Sequence, residues 1–417
     1  MNILYNTGIA LYSLGARVAS LRNEKVKKML RGQREAIPGL AAKAESLRGC
    51  VWFHAASLGE FEQGRPMIER LRAEHPDIPI LLTFFSPSGY EVRKNYPHVD
   101  AVAYLPFDKP GNVRRFIDMV NPSMAIFIKY EFWGNYLDEL HRRGIPTYII
   151  SAIFRPGQIF FRPWGSYMRR VLHDYEHLYV QDERSARLLA GIGITNTTVA
   201  GDTRFDRVTD VMKSRVDIPG FPGFGKDYDH VFIAGSSWEA DEERYIPWLK
   251  ANPSVAFIIA PHEFDDRRLE LLLSHFDKGE AMLLSEWCEA SAAGASGELK
   301  KVRGIIVDSF GKLSSLYRFA DIAYIGGGFG TGIHNINEAA VYGIPVIFGP
   351  RHSKFKEAAD LIAAGGAFAV YSREEFEGAI GRLISSPDTL ASAGKAAGDY
   401  IRRSIGATDI IYRDLFG

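Results

Sequence analysis

From residue 50 onward, short apolar runs rich in Val, Ile, Phe and Tyr alternate with amphipathic stretches of helical period. That rhythm restricts the chain to strand–helix–strand units. The first series of expected strands is 50–56, 78–85, 100–105, 124–130, 146–152 and 177–181. The second is 230–235, 255–260, 280–284, 304–308, 321–326 and 345–348. Most runs are apolar throughout rather than alternating, as parallel strands covered on both faces must be. Between the series lies the polar segment 202–229 with its PGFPGFG stretch, which places a linker near 200–225. At 417 residues the chain exceeds what one core organises, so two domains of roughly 150–200 residues are expected. The reading is therefore α/β, with two Rossmann-like, doubly wound domains facing a cleft and ligands at the carboxyl ends of the strands. Helical stretches from about 388 to 416 end the chain.

Composition narrows the function classes. With 46% hydrophobic and 24% charged residues the chain is an ordered globular protein. Fifty basic and fifty acidic side chains cancel, which argues against nucleic acid as a partner. Cys50 and Cys288 stand far apart in no CxxC or Cys/His spacing, so neither a disulfide framework nor a metal site is expected. The first twenty residues are apolar but broken by Asn6, Thr7, Ser13 and Arg17, which is unlike a spanning helix or a secretory signal. Arg22, Lys25, Lys27, Lys28, Arg31 and Arg34 follow at once. An apolar stretch and then a basic cluster suits an anionic membrane surface, with Ile3, Leu4, Ile9, Leu11 and Leu14 entering the interface; the other reading is a helix packed on its own domain with a solvated basic face.

Several constellations carry chemistry. In VWFHAASLGEFEQGRPMIERLR (51–72) a buried strand ends in a small-residue turn and Glu60 opens a helix. A carboxylate in a first helical turn is favoured by the dipole and by free N–H groups, so Glu60 is expected to be ionised near neutrality; it is either a general base or simply an acidic first turn, and spacing alone favours the second. In SPSGYE (86–91) Ser86 caps a helix begun by Pro87, which is either an anion-attracting helix start or an ordinary capped helix. In IFIKYEFWGN (126–135) Lys129 and Glu131 either pair with each other or meet a sugar acid and its partner hydroxyl; the motif leaves both open. DIAYIGGGFGTGIHNINEAAVYGIPVIFGP (321–350) is the strongest local signal. Its glycines after a strand either let backbone wrap a phosphate whose charge the next helix stabilises, with Glu338, three residues beyond Asn335, within reach of ribose hydroxyls, or form a structural turn. It is neither a Walker loop nor a spaced GxGxxG. In AGSSWEADEE (234–243) Ser236 and Ser237 either hold a phosphate or cap a helix.

Taken together and in order, HAASLGE (54–60), TFFSPSG (83–89), YLPFD (104–108), YEFWGN (130–135), AGDTRFD (200–206), AGSSWEADEE (234–243), VDSFGKLSSLY (307–317) and GIHNINEAA (332–340) resemble the Kdo transferase family of lipopolysaccharide synthesis. The likeness spans almost the whole chain. It implies the GT-B fold and an inverting glycosyltransferase that moves 3-deoxy-D-manno-octulosonic acid (Kdo) from CMP-Kdo to the lipid A precursor, lipid IVA. It also implies Glu60 as catalytic base, Ser236, Gly327, Gly332, His334, Asn335 and Glu338 as donor-binding residues, and Ser57, Ser86, Lys129 and Glu131 as possible acceptor or sugar-acid contacts. CMP-Kdo is a substrate, and neither a metal nor a cofactor is expected, so leaving-group charge would fall to backbone N–H groups and basic side chains. The implied place of work is the cytoplasmic face of the bacterial inner membrane, peripheral or amino-terminally anchored.

The implied partition is a membrane-associating segment 1–35, an acceptor domain 36–205, a donor domain 206–390 and a carboxy-terminal helix 391–417 returning to the first domain. Three departures stand out. Lys129 and Glu131 replace a pair of acids, with Gly134 where relatives have proline. Pro261-His262-Glu263 lacks the arginine of a PRH turn, leaving Arg204, Arg351 or Lys354 as substitutes. The loop before His334 is one residue short and reads Gly332-Ile333. Two other readings remain: an epimerase of the UDP-N-acetylglucosamine 2-epimerase type, which should lack the HAxSxGE turn, and a silent sugar-nucleotide binding module at the membrane.

Overall fold

The structure, a computed structural model, describes residues 3–213 and 215–417. The chain forms two compact units. The first runs to Asp206 and is rejoined by Ile405–Gly417, and the second is Arg207–Ser404. Each is built on a seven-stranded parallel sheet.

In the first unit the order is β3-β2-β1-β4-β5-β6-β7, with β1 Val51–Ala55, β2 Ile80–Phe84, β3 Ala101–Tyr104, β4 Met124–Ile128, β5 Thr147–Ala152, β6 His177–Val180 and β7 Thr197–Val199. Register pairs Val51 with both Ile80 and Met124. β1 and β2 are buried at every position, because both faces carry a core. Trp52, Leu81 and Phe127 pack with Phe116 and Tyr136 on one side. Phe53, Leu82 and Ile126 point to the other and meet Phe61 and Ile68.

The second unit has the order β10-β11-β9-β8-β12-β13-β14, with β8 His230–Ser237, β9 Val255–Pro261, β10 Ala281–Leu283, β11 Gly304–Ile306, β12 Ile322–Ile325, β13 Val346–Phe348 and β14 Ala367–Ala369. In both sheets the chain leaves the central strand to one side and later returns on the other, so β1/β4 and β8/β12 are topological switch points. Crevices outside such points are where α/β sheets bind ligands.

The expected boundaries shift in two places. The 35/36 division falls inside helix Glu24–Ala41, whose Met29, Leu30, Ala36 and Leu40 are buried on the first unit, so residues up to 35 are no separate body. The return to the first unit begins at 405, not 391. Helix Pro387–Ser404 buries Ala393 and Ala397 within the second unit, and only helix Ala407–Phe416 belongs to the first. Asp206 fixes that return by accepting the backbone N–H of Gly406 (2.5 Å) and Thr408 (2.7 Å). Ile411 and Tyr412 then join the core that holds Phe53 and Leu82. Among the described residues no helix is long and apolar enough to cross a membrane.

Candidate active site

At the β1/β4 switch point a short turn after β1 leads into helix Leu58–Glu74, with Ser57 at its N-cap and Glu60 in its first turn. The helix lies close on the sheet because residue 64 is glycine: a Cβ there would collide with Ile128 at the end of β4. Ser57 donates its hydroxyl to Glu60 Oε2 at 2.8 Å, so the serine orients the carboxylate. Burial, and then the charge of Glu131, raise the Glu60 carboxyl above its ordinary value, while Ser57 and Lys129 oppose them. The sequence reading expected the helix start to dominate and keep the group acidic. Desolvation outweighs it, which makes Glu60 a stronger base than an exposed glutamate.

Glu131 is buried and committed. Its Oε2 accepts Trp133 Nε1–H at 2.5 Å and faces His54 Nε2 at 2.9 Å. On the other side of the imidazole, Nδ1 lies 2.9 Å from Thr83 Oγ1, which accepts Trp52 Nε1–H at 2.8 Å. A chain of polar contacts thus runs from the core of the sheet to the site. Its members require one another, since a buried polar group left unpaired costs about 1–3 kcal/mol. Lys129 holds its ammonium 5.3 Å from the centre of the Tyr130 ring. Its backbone is left-handed, φ 71°, an unusual conformation for a non-glycine residue that clusters at functional sites. Ser86 caps helix Pro87–Arg93, accepting Ser88 N–H at 3.1 Å, and its own N–H donates to Ala56 O at 2.8 Å. It therefore braces the turn before Glu60.

At the β8/β12 switch point Ser236 adopts φ 52° beside the end of β12. The glycine loop does more folding than donating. Gly327 has φ 89° and Gly332 φ 132°. The N–H groups of Gly330 and Gly332 both bond Gly327 O, at 2.9 and 3.0 Å, and His334 N–H bonds Gly326 O at 3.1 Å. The helix expected to stabilise a phosphate is a single turn, Asn337–Ala340, too short to sum an appreciable dipole. His334 stacks on His262 with ring centres 4.2 Å apart and accepts Trp238 Nε1–H on Nε2 at 3.2 Å. Burial and then His262 push its pKa down to about 4, so the ring is neutral, as that accepted hydrogen bond requires. Asn335 Nδ2 donates to Glu338 Oε1 at 2.9 Å, and burial raises the Glu338 carboxyl. A hollow of about 630 Å³ opens beside these groups, lined by Ser237, Trp238, Phe264, Arg268, Gly330 and Thr331.

Three residues were not singled out in the sequence. Asp241 is buried and accepts Gly327 N–H (2.8 Å), Trp238 N–H (3.1 Å) and Tyr324 O–H (2.9 Å), which pins the loop to the helix after β8. Its signal was an acid three residues beyond Trp238. His54 was the polar residue inside an apolar strand. Arg268 lines the hollow with its guanidinium on both Glu242 oxygens, whereas Arg204 is held by Asp202 at 2.8 Å in the first unit. Among the described residues no group of three or more His, Cys, Asp or Glu side chains is placed to hold a metal ion.

Residues 24–207 match the family model described as 3-deoxy-D-manno-octulosonic-acid transferase (kdotransferase). A protein of that name from Bordetella pertussis is 29% identical over 374 residues, 86% of this chain and 85% of its own length. One from Aquifex aeolicus strain VF5 is 26% identical over 350 residues, 82% and 88% of the two chains. The chain is similar to Kdo transferases over most of its length. It is a glycosyltransferase, and its HAASLGE and GIHNINEAA segments are the ones that build the two switch points. The solved UDP-GlcNAc 2-epimerase from Neisseria meningitidis bound to UDP-GlcNAc superposes with a TM-score of 0.57 at 16% identity, over 88% of this chain and 99% of that one. That is a likeness of fold alone, and it agrees with the two-domain GT-B architecture.

Proposed function

We propose that this transferase moves Kdo from CMP-Kdo to the lipid A precursor, lipid IVA, with inversion, in lipopolysaccharide synthesis. The acceptor hydroxyl oxygen bonds the anomeric carbon, its proton passes to Glu60, and the bond to the phosphate of CMP breaks with the electron pair leaving on CMP. The observation that carries the reading is Glu60: a carboxylate at a switch point, oriented by Ser57 and made more basic by burial and by Glu131. Ser236, His334, Asn335 and Glu338 hold the nucleotide in this reading. Gly327 and Gly332 give the loop its fold. Arg268, already paired with Glu242, lines the hollow beside the loop and offers its remaining N–H groups where the PRH arginine is absent. No metal step is needed, because backbone N–H groups and basic side chains take the leaving-group charge.

A lipid acceptor must be met at a bilayer, and the reading places the protein on the cytoplasmic face of the inner membrane. Ile3, Leu4, Leu11 and Leu14 on helix Ile3–Ala19 are exposed, Ile9 is half-buried, and the basic residues of helix Glu24–Ala41 follow. Lys27 and Arg31 pair with Glu24 and Glu35 on the surface, which tempers their attraction for anionic headgroups. Cosedimentation with anionic vesicles should weaken as salt rises. The deciding experiment offers CMP-Kdo with lipid IVA and, separately, UDP-N-acetylglucosamine. Kdo-lipid and CMP are the expected products. Epimerised UDP-sugar without transfer, or binding of CMP-Kdo with no turnover, would overturn the reading.

A further inference from the structure

Away from the switch points, a second hollow of about 410 Å³ lies in the first unit between helix Ile3–Ala19, helix Glu24–Ala41 and the start of helix Pro110–Val120. Its wall carries four cations, Arg17, Arg34, Lys109 and Arg115, and no acidic side chain is among the residues that line it. The neighbouring Asp108 does not neutralise them from within. Its carboxylate faces the other way, accepting Tyr5 O–H at 2.6 Å and the N–H groups of Asn135 and Tyr136.

The floor is polar and incompletely satisfied. Lys109 donates to the buried Ser13 hydroxyl at 2.9 Å. Gln33 is only 6% exposed, yet neither its amide oxygen nor its amide nitrogen has a hydrogen-bond partner. Buried amides are almost always paired, so an orphaned one in a pocket ringed by cations calls for a ligand whose oxygens accept from it. Arginine forks match the oxygens of a phosphate group in particular. The helix that carries Arg17 also exposes Leu14 and Val18, at 56 and 63%, and Leu21 in the turn after it is 83% exposed. The anion therefore sits beside an apolar surface of the kind that enters a bilayer interface.

We propose that this hollow is a binding site for the phosphate group of a membrane amphiphile, with Gln33 Nε2, Lys109 and the guanidinium groups of Arg17, Arg34 and Arg115 as its donors. The site is distinct from the Glu60 cluster and does not depend on which sugar is transferred. It would hold the protein on the bilayer by a specific contact rather than by diffuse charge alone.

The test is titration of the full chain with dihexanoyl phosphatidate below its micelle concentration, followed by calorimetry. A single saturable event is expected. Arg34→Gln and Arg115→Gln should each weaken it about tenfold, the usual worth of one charge-assisted contact. Gln33→Leu should weaken it as well while melting no lower than the parent, since it removes a buried group that lacked a partner. Should that variant fail to fold, the exposed Arg34 still decides the matter. Arg48→Gln, exposed and outside the hollow, should leave the affinity unchanged. Unaltered phosphatidate binding in Arg34→Gln, or an equal loss in Arg48→Gln, would overturn the site. Inorganic phosphate binding as tightly as phosphatidate through the same residues would assign the hollow to a free anion and overturn the membrane part.

Discussion

The two switch points solve different chemical problems with the same sheet topology. At β1/β4 the strand ends carry ionisable side chains locked to one another: Glu60 to Ser57, and Glu131 to His54 and Trp133. At β8/β12 the strand ends carry backbone, folded on itself by glycine and pinned by Asp241, with a histidine kept neutral. Each has one non-glycine residue in the left-handed region, Lys129 just past β4 and Ser236 one residue before the end of β8. Strain is thus tolerated in both places, but the first sets it beside the carboxylate oriented by Ser57, and the second beside a backbone loop held by Asp241. A site that must take a proton needs a carboxyl whose affinity for it is tuned. A site that must hold a nucleotide gains from groups whose charge does not change with pH.

The largest effect expected from breaking this division is at Glu60. Glu60→Gln keeps the shape and the acceptor oxygen for Ser57 but cannot accept a proton, and loss of a general base typically costs about 10²–10⁴-fold in rate. Transfer should fall by that factor in a steady-state assay while CMP affinity stays constant. The linkage runs in an unusual direction. Because the folded-state pKa of this acid is raised, the native state holds the proton more tightly, and stability is lost as pH rises through that value. The glutamine variant should therefore melt at or above the parent temperature at neutral pH. Near-normal turnover by a folded Glu60→Gln would remove this residue from the chemistry.

Asp241 comes next. Asp241→Ala leaves Gly327 N–H, Trp238 N–H and Tyr324 O–H without their acceptor, and hydrogen bonds to a charged group are worth about 1.5–3 kcal/mol each. CMP affinity should drop about tenfold to a hundredfold. Calorimetry that finds it unchanged would show that the loop holds its form without this tether. A smaller loss, about tenfold or less, is expected for Glu338→Ala, and it should be the same for CMP and CMP-Kdo because both carry the ribose. An effect on CMP-Kdo alone would move Glu338 to the sugar.

How much of this was legible follows from where each residue finds its partner. The strand centres were readable because strands buried on both faces are apolar at every position, as Val51–Ala55 and Ile80–Phe84 are. β7 and β14 were missed because they are edge strands of three residues, Thr-Thr-Val and Ala-Phe-Ala, without the length or burial that makes a pattern. Glu60 was readable as an acid in the first turn of a helix, whereas Ser57 was expected to meet the acceptor or sugar acid and instead donates to Glu60. The His54–Glu131 contact joins residues 77 apart and the Asp241–Gly327 contact residues 86 apart, so neither leaves a local trace. The carboxy-terminal helices share one period, and only the packing of Ala393 and Ile411 on different units separates them.

The smallest expected effect is on pH dependence, and it sharpens the comparison most. Transfer needs Glu60 ionised, so its rate should fall as pH drops through a value raised first by burial and second by Glu131. Glu131→Gln removes the second cause and keeps an acceptor oxygen for Trp133 and His54. The acid limb of kcat/KM should then move to lower pH by less than about one unit, since burial remains. The donor side should behave oppositely. His334 is held down to about 4, by burial and then by His262, and stays neutral over the range where an ordinary histidine titrates near 6.5. His334 should therefore add nothing to the pH dependence of CMP affinity between about pH 5 and 8, which is left to the phosphate of CMP and to Glu338. Calorimetry across that range separates the cases: a limb near 6.5 that vanishes in His334→Gln would mean that the imidazole charges in the nucleotide site, and the division between a titrating and a non-titrating switch point would fail.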